Sequence, residues 1–130
     1  MFTIRHVDTY RASPKHPVQE YVLDKPDGVA VTLPPATGSG FRHRFYVDRA
    51  VTSNAHTITA TEGDVINGAA TVAASDGDIF ACADKTIISL NGGTKGGLGG
   101  DVLELVDIAE GKWSVRGSLH GSGTVASPFS

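Results

Sequence analysis

The sequence predicts an all-β protein: a single small β-sandwich or barrel, jelly-roll-like, preceded by an extended N-terminal arm. Three observations lead to this prediction. Short segments that alternate apolar and polar residues recur at intervals of roughly 8–12 residues, with turn-forming residues between them. Glycine makes up 16 of the 130 residues, and glycine disfavours helix interiors. The apolar residues show no sustained helical period. A chain of this length is expected to form one domain.

Residues 1–28 are predicted to form the arm, and residues 29–130 the all-β domain. The first segment holds three of the six prolines and only one glycine, and each proline keeps the residue before it out of the helical region. Two hypotheses stay open: a flexible terminus with one edge strand, or an arm that docks on a neighbouring subunit. Its apolar content argues against a wholly disordered segment. The candidate contacts of the arm with another subunit or a partner protein are Phe2, Ile4, Arg5, Tyr10, Arg11 and Tyr21.

The first strands after the arm show the period of two that a half-buried strand requires. Residues 29–33, VAVTL, alternate and then stop at two prolines. Residues 41–47, FRHRFYV, alternate throughout, and successive side chains of a strand point to opposite faces. The expected core face holds Phe41, His43, Phe45 and Val47, and the opposite face holds Arg42, Arg44 and Tyr46.

The remaining strands are predicted from the same alternation and from turn signals. Residues 64–74 are expected to form two short strands around an Asn67-Gly68 turn, because Asn-Gly is a strong hairpin signal. The other predicted strands are 56–60, 78–83, 86–90, 101–108 and 112–119. The candidate core comprises Phe41, Phe45, Val47, Ile58, Ile88, Leu103, Leu105, Trp113 and Val115.

A glycine-rich run, NGGTKGGLGG at residues 91–100, raises the question of a phosphate-binding loop. Such a loop needs a lysine directly after a glycine, a following Ser or Thr, and a helix that begins at the loop. Here Lys95 follows Thr94, no hydroxyl residue comes next, and the chain continues as a strand. We therefore expect a long, flexible loop that joins two antiparallel strands.

No catalytic, cofactor-binding or metal-binding motif is present, and we expect no enzyme activity and no cofactor. The five histidines lack metal-ligand spacing, SDGD at 75–78 reads as a turn, and GSLHGSG at 117–123 lacks the serine elbow of a hydrolase. His43 is expected to be a hydrogen-bonded core residue, and Cys82 to be buried and inert. Convergence of scattered His or Asp residues on a metal at a subunit interface stays open.

Charge and hydropathy limit the classes of partner that the protein could bind. The net charge of −3 gives no basic excess of the kind that nucleic-acid-binding domains carry, so we expect no direct nucleic-acid binding. Arg42, Arg44 and Arg49 are interpreted as a solvated or interfacial face. No apolar run is long enough for a membrane helix, and the N-terminus lacks a signal-peptide pattern. We therefore expect that the protein is made in the cytoplasm and does not associate with a membrane.

Three stretches carry a resemblance to a known family: LPPATGSG at 33–40, LNGGTKGGLGGD at 90–101 and GKWSVRG at 111–117. Over about residues 30–130 the chain resembles small virion structural proteins of tailed bacteriophages, the head decoration or cement proteins. The resemblance implies a homotrimer on the exterior of the virion capsid, made in the host cytoplasm. It would bind the major capsid protein and stabilise contacts between capsomers.

Two alternatives stay open. One is a fibre, spike or receptor-binding module of a phage particle that recognises a glycan or a host surface. The other is a small hydrolase, which would need two carboxylates in a cleft.

Overall fold

The computed structural model describes residues 1–130 and contains eleven strands and no helix. No helix is present that could cross a membrane. The strands are β1 Phe2–Ile4, β2 Thr9–Arg11, β3 Val18–Leu23, β4 Ala30–Thr32, β5 Arg42–Val47, β6 His56–Thr59, β7 Val65–Ala73, β8 Asp78–Lys85, β9 Ile87–Leu90, β10 Val102–Ala109 and β11 Lys112–His120.

The strands form two mixed sheets that share one hydrophobic core, so the predicted all-β sandwich is confirmed. The seven-stranded sheet has the order β1-β3-β5-β10-β11-β7-β8, and the four-stranded sheet has the order β2-β4-β6-β9. The first six strands alternate between the sheets. Within each sheet these strands run parallel to one another. The connectivity therefore differs from a jelly roll, which is built from antiparallel strands. The alternation of side chains specifies the buried face of a strand and not the direction of its neighbour.

Residues 1–28 are part of the sandwich, whereas the sequence predicted a separate arm. β1 and β3 pair in the seven-stranded sheet, and β2 pairs with β4 in the four-stranded sheet. Ile4 and Tyr21 were predicted to contact a partner. This prediction is wrong for both residues, because they are fully buried in the core. The other four candidate contacts keep some exposure: Phe2, Arg5 and Arg11 are exposed, and Tyr10 is partly buried.

Most of the predicted core residues are buried. Eight of its candidate residues are buried: Phe45, Val47, Ile58, Ile88, Leu103, Leu105, Trp113 and Val115. Phe41 is the exception, because it precedes the first residue of β5 and remains partly exposed. An aromatic cluster fills the centre of the seven-stranded sheet. In it, Tyr21 stacks on Phe45 with ring centroids 4.9 Å apart, and Trp113 lies edge-on to His43 at 5.5 Å.

The predicted turn at Asn67-Gly68 is absent, and β7 runs through it without a break. Gly68 has a φ of 143°, and a Cβ there would collide with the backbone carbonyl of Val115 on β11. The register between β7 and β8 also shifts at this point. Glycine therefore permits a bulge and a close approach of two backbones, which the Asn-Gly signal does not distinguish from a turn.

The glycine-rich segment crosses from one sheet to the other, because β9 belongs to the four-stranded sheet and β10 to the seven-stranded sheet. The sequence predicted that this segment joins two paired antiparallel strands. The two strands that it joins are instead in different sheets and are not paired. Many of its amides are fixed by hydrogen bonds. Asn91 Oδ1 accepts from the amides of Gly93 and Lys95. Asp101 Oδ2 accepts from the amide of Gly97 at 2.8 Å. The segment is thus an ordered crossover, and its glycines supply positive φ angles.

Candidate functional site

The most distinctive chemistry lies on the outer face of the seven-stranded sheet, where β5, β10 and β11 are neighbours. Backbone register places Glu104 of β10 between Arg44 of β5 and Arg116 of β11. The next row along the strands holds Tyr46, Val102 and Ser118, and the row on the other side holds Arg42, Val106 and Ser114. We call the set Glu20, Arg42, Arg44, Tyr46, Glu104, Arg116 and Ser118 the arginine surface.

Glu104 is the centre of the arginine surface, and its side chain is only 8% exposed. Its Oε1 accepts from Arg42 Nη1 at 3.2 Å and lies 3.1 Å from Arg116 Nη2, while Oε2 accepts from Arg44 Nε. The hydrogen bond from Arg44 is the main reason that the pKa of Glu104 is lowered. The carboxylate therefore stays charged and holds three guanidinium groups on one face of the sheet.

A second carboxylate extends the pattern onto β3. Glu20 lies beside Arg44 in the register, and its Oε2 is 3.8 Å from Arg44 Nη1. The same oxygen accepts a hydrogen bond from the Tyr46 hydroxyl at 2.8 Å, which raises the pKa of Tyr46. Charges thus alternate in sign across four neighbouring strands, in the order Glu20, Arg44, Glu104, Arg116.

The arginine surface keeps unused capacity for an anion. Its three guanidinium groups and two carboxylates leave one positive charge in excess. Each guanidinium has five N–H donors, and the contacts with Glu104 use only one or two of them per arginine. An open groove of about 360 Å³ lies over Arg44, Glu104 and Arg116, whereas Arg42 lies outside its lining. It is lined by Arg44, Tyr46, Val102, Glu104, Arg116, Gly117 and Ser118.

The structure brings together only part of the predicted arginine face. Arg42 and Arg44 converge on Glu104, but Arg49 instead binds Asp24, a buried carboxylate that Arg5 also contacts. Sequence reasoning missed Glu104 and Arg116. In the segment VLELV, Glu104 shares a face with two valines, and its neighbours across the sheet are 12 to 62 residues away in the sequence. Only the strand register reveals the cluster.

The predicted contact residues at the N-terminus lie apart from the arginine surface. Phe2, Tyr10 and Tyr21 pack against one another, with ring centroids 5.2 Å and 5.7 Å apart in succession. Burial raises the pKa of Tyr21 to about 12. Arg11 lies on β2 in the other sheet. These residues therefore form no joint site with Arg42 or Arg44.

Two residues with potential chemistry are buried, as predicted. His43 is buried and has its Nδ1 3.2 Å from the Tyr21 hydroxyl, and burial lowers its pKa. Cys82 is buried with its Sγ 3.1 Å from the carbonyl oxygen of Ile66, and burial raises the pKa of the thiol. The structure holds no cluster of three or more His, Cys, Asp or Glu side chains suited to a metal ion.

Two further buried carboxylates hold loops. Asp107 accepts from the amides of Thr37 and Gly38 and from the Ser39 hydroxyl. Burial alone would raise its pKa, but these hydrogen bonds hold the pKa of Asp107 below its usual value. Asp101 binds the glycine-rich crossover and lies 2.7 Å from His120 Nδ1. His120, in the serine-containing GSLHGSG segment, therefore contributes to loop structure.

The comparisons with known proteins found no match, whether among family models, curated proteins or solved structures.

Proposed function

We propose that the protein is a head decoration, or cement, protein of a tailed bacteriophage. In this proposal it binds the outside of the capsid through the arginine surface and stabilises the contacts between capsomers. The observation that supports it most is the arginine surface itself: a solvent-facing array of arginines beside a tyrosine. Arginine and tyrosine are enriched among the residues that dominate protein–protein binding energy. The resemblance of residues 30–130 to decoration proteins supports the same function.

The two edges of the seven-stranded sheet support self-association, which the resemblance to decoration proteins implies is a homotrimer. β1 and β8 each lack a strand on one side. Met1 and Phe2 are exposed at the β1 edge, and Ile79 is exposed at the β8 edge. Unpaired edges with apolar side chains favour pairing with another chain. Contact between two different edges closes into a ring when the rotation between subunits allows it, and three linked subunits would multiply modest capsid contacts.

The test is to mix the purified protein with undecorated, expanded heads of the phage whose genome encodes it. We expect saturable co-sedimentation with the heads and an increase in their resistance to heat or chelators. Light scattering after size exclusion should give the mass of a trimer. Failure to co-sediment with the heads, together with binding to whole host cells, would instead favour a fibre or receptor-binding module.

The charge state of Glu104 does not favour a hydrolase. A glycosidase needs one carboxylic acid whose pKa is raised, so that it can donate a proton. The arginines lower the pKa of Glu104 instead. A carboxylate held ionised by three guanidinium groups is better suited to positioning those groups than to proton transfer.

A further inference from the structure

We infer that the arginine surface recognises an extended acidic segment of a partner protein that carries carboxylates at alternate positions. The inference rests on the proposed function, in which the partner is the capsid protein. The inference adds two things that the proposed function does not specify: the chemistry of the partner segment and the residues that recognise this segment.

Spacing is the first argument. Arg42 and Arg44 lie two residues apart on one face of β5, so their backbones are separated by about 6.6 Å along the strand. Alternate side chains of any extended segment have the same separation. A segment that lies along β5 and β10 would therefore place two carboxylates over the two rows of the sheet that carry Arg42 and Arg44. Arg116 stands in the same row as Arg44, on the far side of Glu104, and would reach one of these carboxylates from the other side.

Preorganisation is the second argument. A free arginine side chain loses considerable rotamer entropy when it binds. Here the Glu104 carboxylate already holds all three arginines, so a ligand meets guanidinium groups that are partly ordered. The planar N–H fork of a guanidinium matches a carboxylate with two parallel hydrogen bonds. Most of these donors remain free.

The charges around the groove favour a protein segment over a nucleic acid. The two carboxylates of Glu20 and Glu104 lie within the arginine surface and would repel a continuous run of phosphates. The whole chain has a net charge of −3. One excess positive charge suits a few spaced carboxylates, whereas phosphate backbones are bound by larger basic surfaces.

The experiment measures fluorescence anisotropy with a labelled peptide, Thr-Glu-Thr-Glu-Thr-Glu-Thr, at low ionic strength. Two control peptides replace glutamate by glutamine or place the three glutamates side by side. We expect the alternating peptide to bind more tightly than either control, and added salt to weaken it. Arg116→Gln should raise Kd about tenfold, as expected when one charged hydrogen-bonding group is lost.

The matched control variant is Lys112→Gln. Lys112 is exposed and lies on the same strand and face as Arg116, about 13 Å away along the strand. The substitution therefore removes one positive charge, as Arg116→Gln does, but at a position outside the groove. It should change Kd less than twofold, roughly the scale of a distant screened charge. If Arg116→Gln fails to fold by circular dichroism, Arg42→Gln serves as the second test. Equal binding of the alternating and glutamine peptides, or equal losses in the Arg116 and Lys112 variants, would overturn the inference.

Binding to heads, measured in parallel with the same variants, separates this inference from the proposed function. If Arg116→Gln binds heads as the natural protein does, the inference is overturned while the decoration function stands. If the alternating peptide is recognised through Arg116 but the protein never binds heads, acidic-segment recognition is supported and the decoration function fails.

Discussion

Replacing Glu104 by glutamine tests the central claim about the arginine surface, that one carboxylate holds the side chains of three arginines. The variant keeps the shape of the side chain but removes the charge that Arg42, Arg44 and Arg116 share. Those arginine side chains are 42%, 36% and 77% exposed, and an exposed ion pair contributes about 0.2–1 kcal/mol. Three such pairs on one nearly buried carboxylate give an expected loss of about 0.6–3 kcal/mol in the free energy of unfolding.

Urea denaturation at low and high salt is the assay. At low salt the Glu104→Gln variant has three guanidinium groups close together without their common counter-charge. Its deficit relative to the natural protein should therefore shrink in about 1 M salt, where charges are screened within ~3 Å. Glu62→Gln is the control, because Glu62 is exposed and forms no ion pair. A loss below about 0.5 kcal/mol, the usual effect of a surface substitution, would refute the reasoning, and so would a loss independent of salt.

Four further predictions concern the fold. Trp113→Ala should lower the free energy of unfolding by about 3–5 kcal/mol in urea denaturation, and an unchanged midpoint would exclude Trp113 from the core. Burial lowers the pKa of His56 from 6.5 to about 4. Between these pH values the unfolded chain therefore binds more protons than the folded protein. The free energy of unfolding should fall by up to about 3 kcal/mol as the pH drops from 6.5 to 4. His56→Asn retains an acceptor for the Val29 amide and should flatten that dependence. Gly68→Ala should cost more than about 1 kcal/mol, because its Cβ would meet a backbone oxygen; a neutral effect on the melting temperature would contradict the bulge. Deletion of residues 1–24 should abolish the folded circular dichroism spectrum, since it removes β1, β2 and β3 entirely, and a folded truncated protein would restore the arm hypothesis.

The sequence was informative for β5, which is long enough to show its period and contains no turn signal. β5 has six residues, and its burial alternates along the whole strand. His43, Phe45 and Val47 were correctly assigned to the core and Arg42 and Arg44 to the surface, because solvent exposure on one face selects polar side chains at every second position.

The N-terminal segment was harder to predict because β1 and β2 have three residues each. Three residues contain too little of a period-two pattern to be recognised. The prolines at 14 and 17 fall in the connection between β2 and β3, so they indicate extended chain without excluding a folded sheet on either side. Parallel pairing also joins strands that are distant along the chain, and no local signal marks it.

Only part of the arginine surface could be predicted from the sequence, for a related reason. Local alternation predicted that Arg42 and Arg44 face outward, but Glu104 lies 60 residues beyond Arg44. Which strands become neighbours depends on the whole topology. Arg49 looked equivalent in sequence, yet it follows the end of β5 and binds Asp24, so proximity in sequence did not predict a shared site.

The four buried carboxylates differ in what they hold, and the difference singles out Glu104. Asp101 and Asp107 accept backbone amides of loops, and Asp24 joins arginines that follow β1 and β5; each of these fixes chain segments that no strand ladder orders. The arginines of Glu104 belong to β5 and β11, which the backbone ladder with β10 already fixes. The Glu104 cluster is therefore not needed to hold the backbone in place. What it determines is the position of three guanidinium groups that face solvent, and a binding surface requires that kind of order.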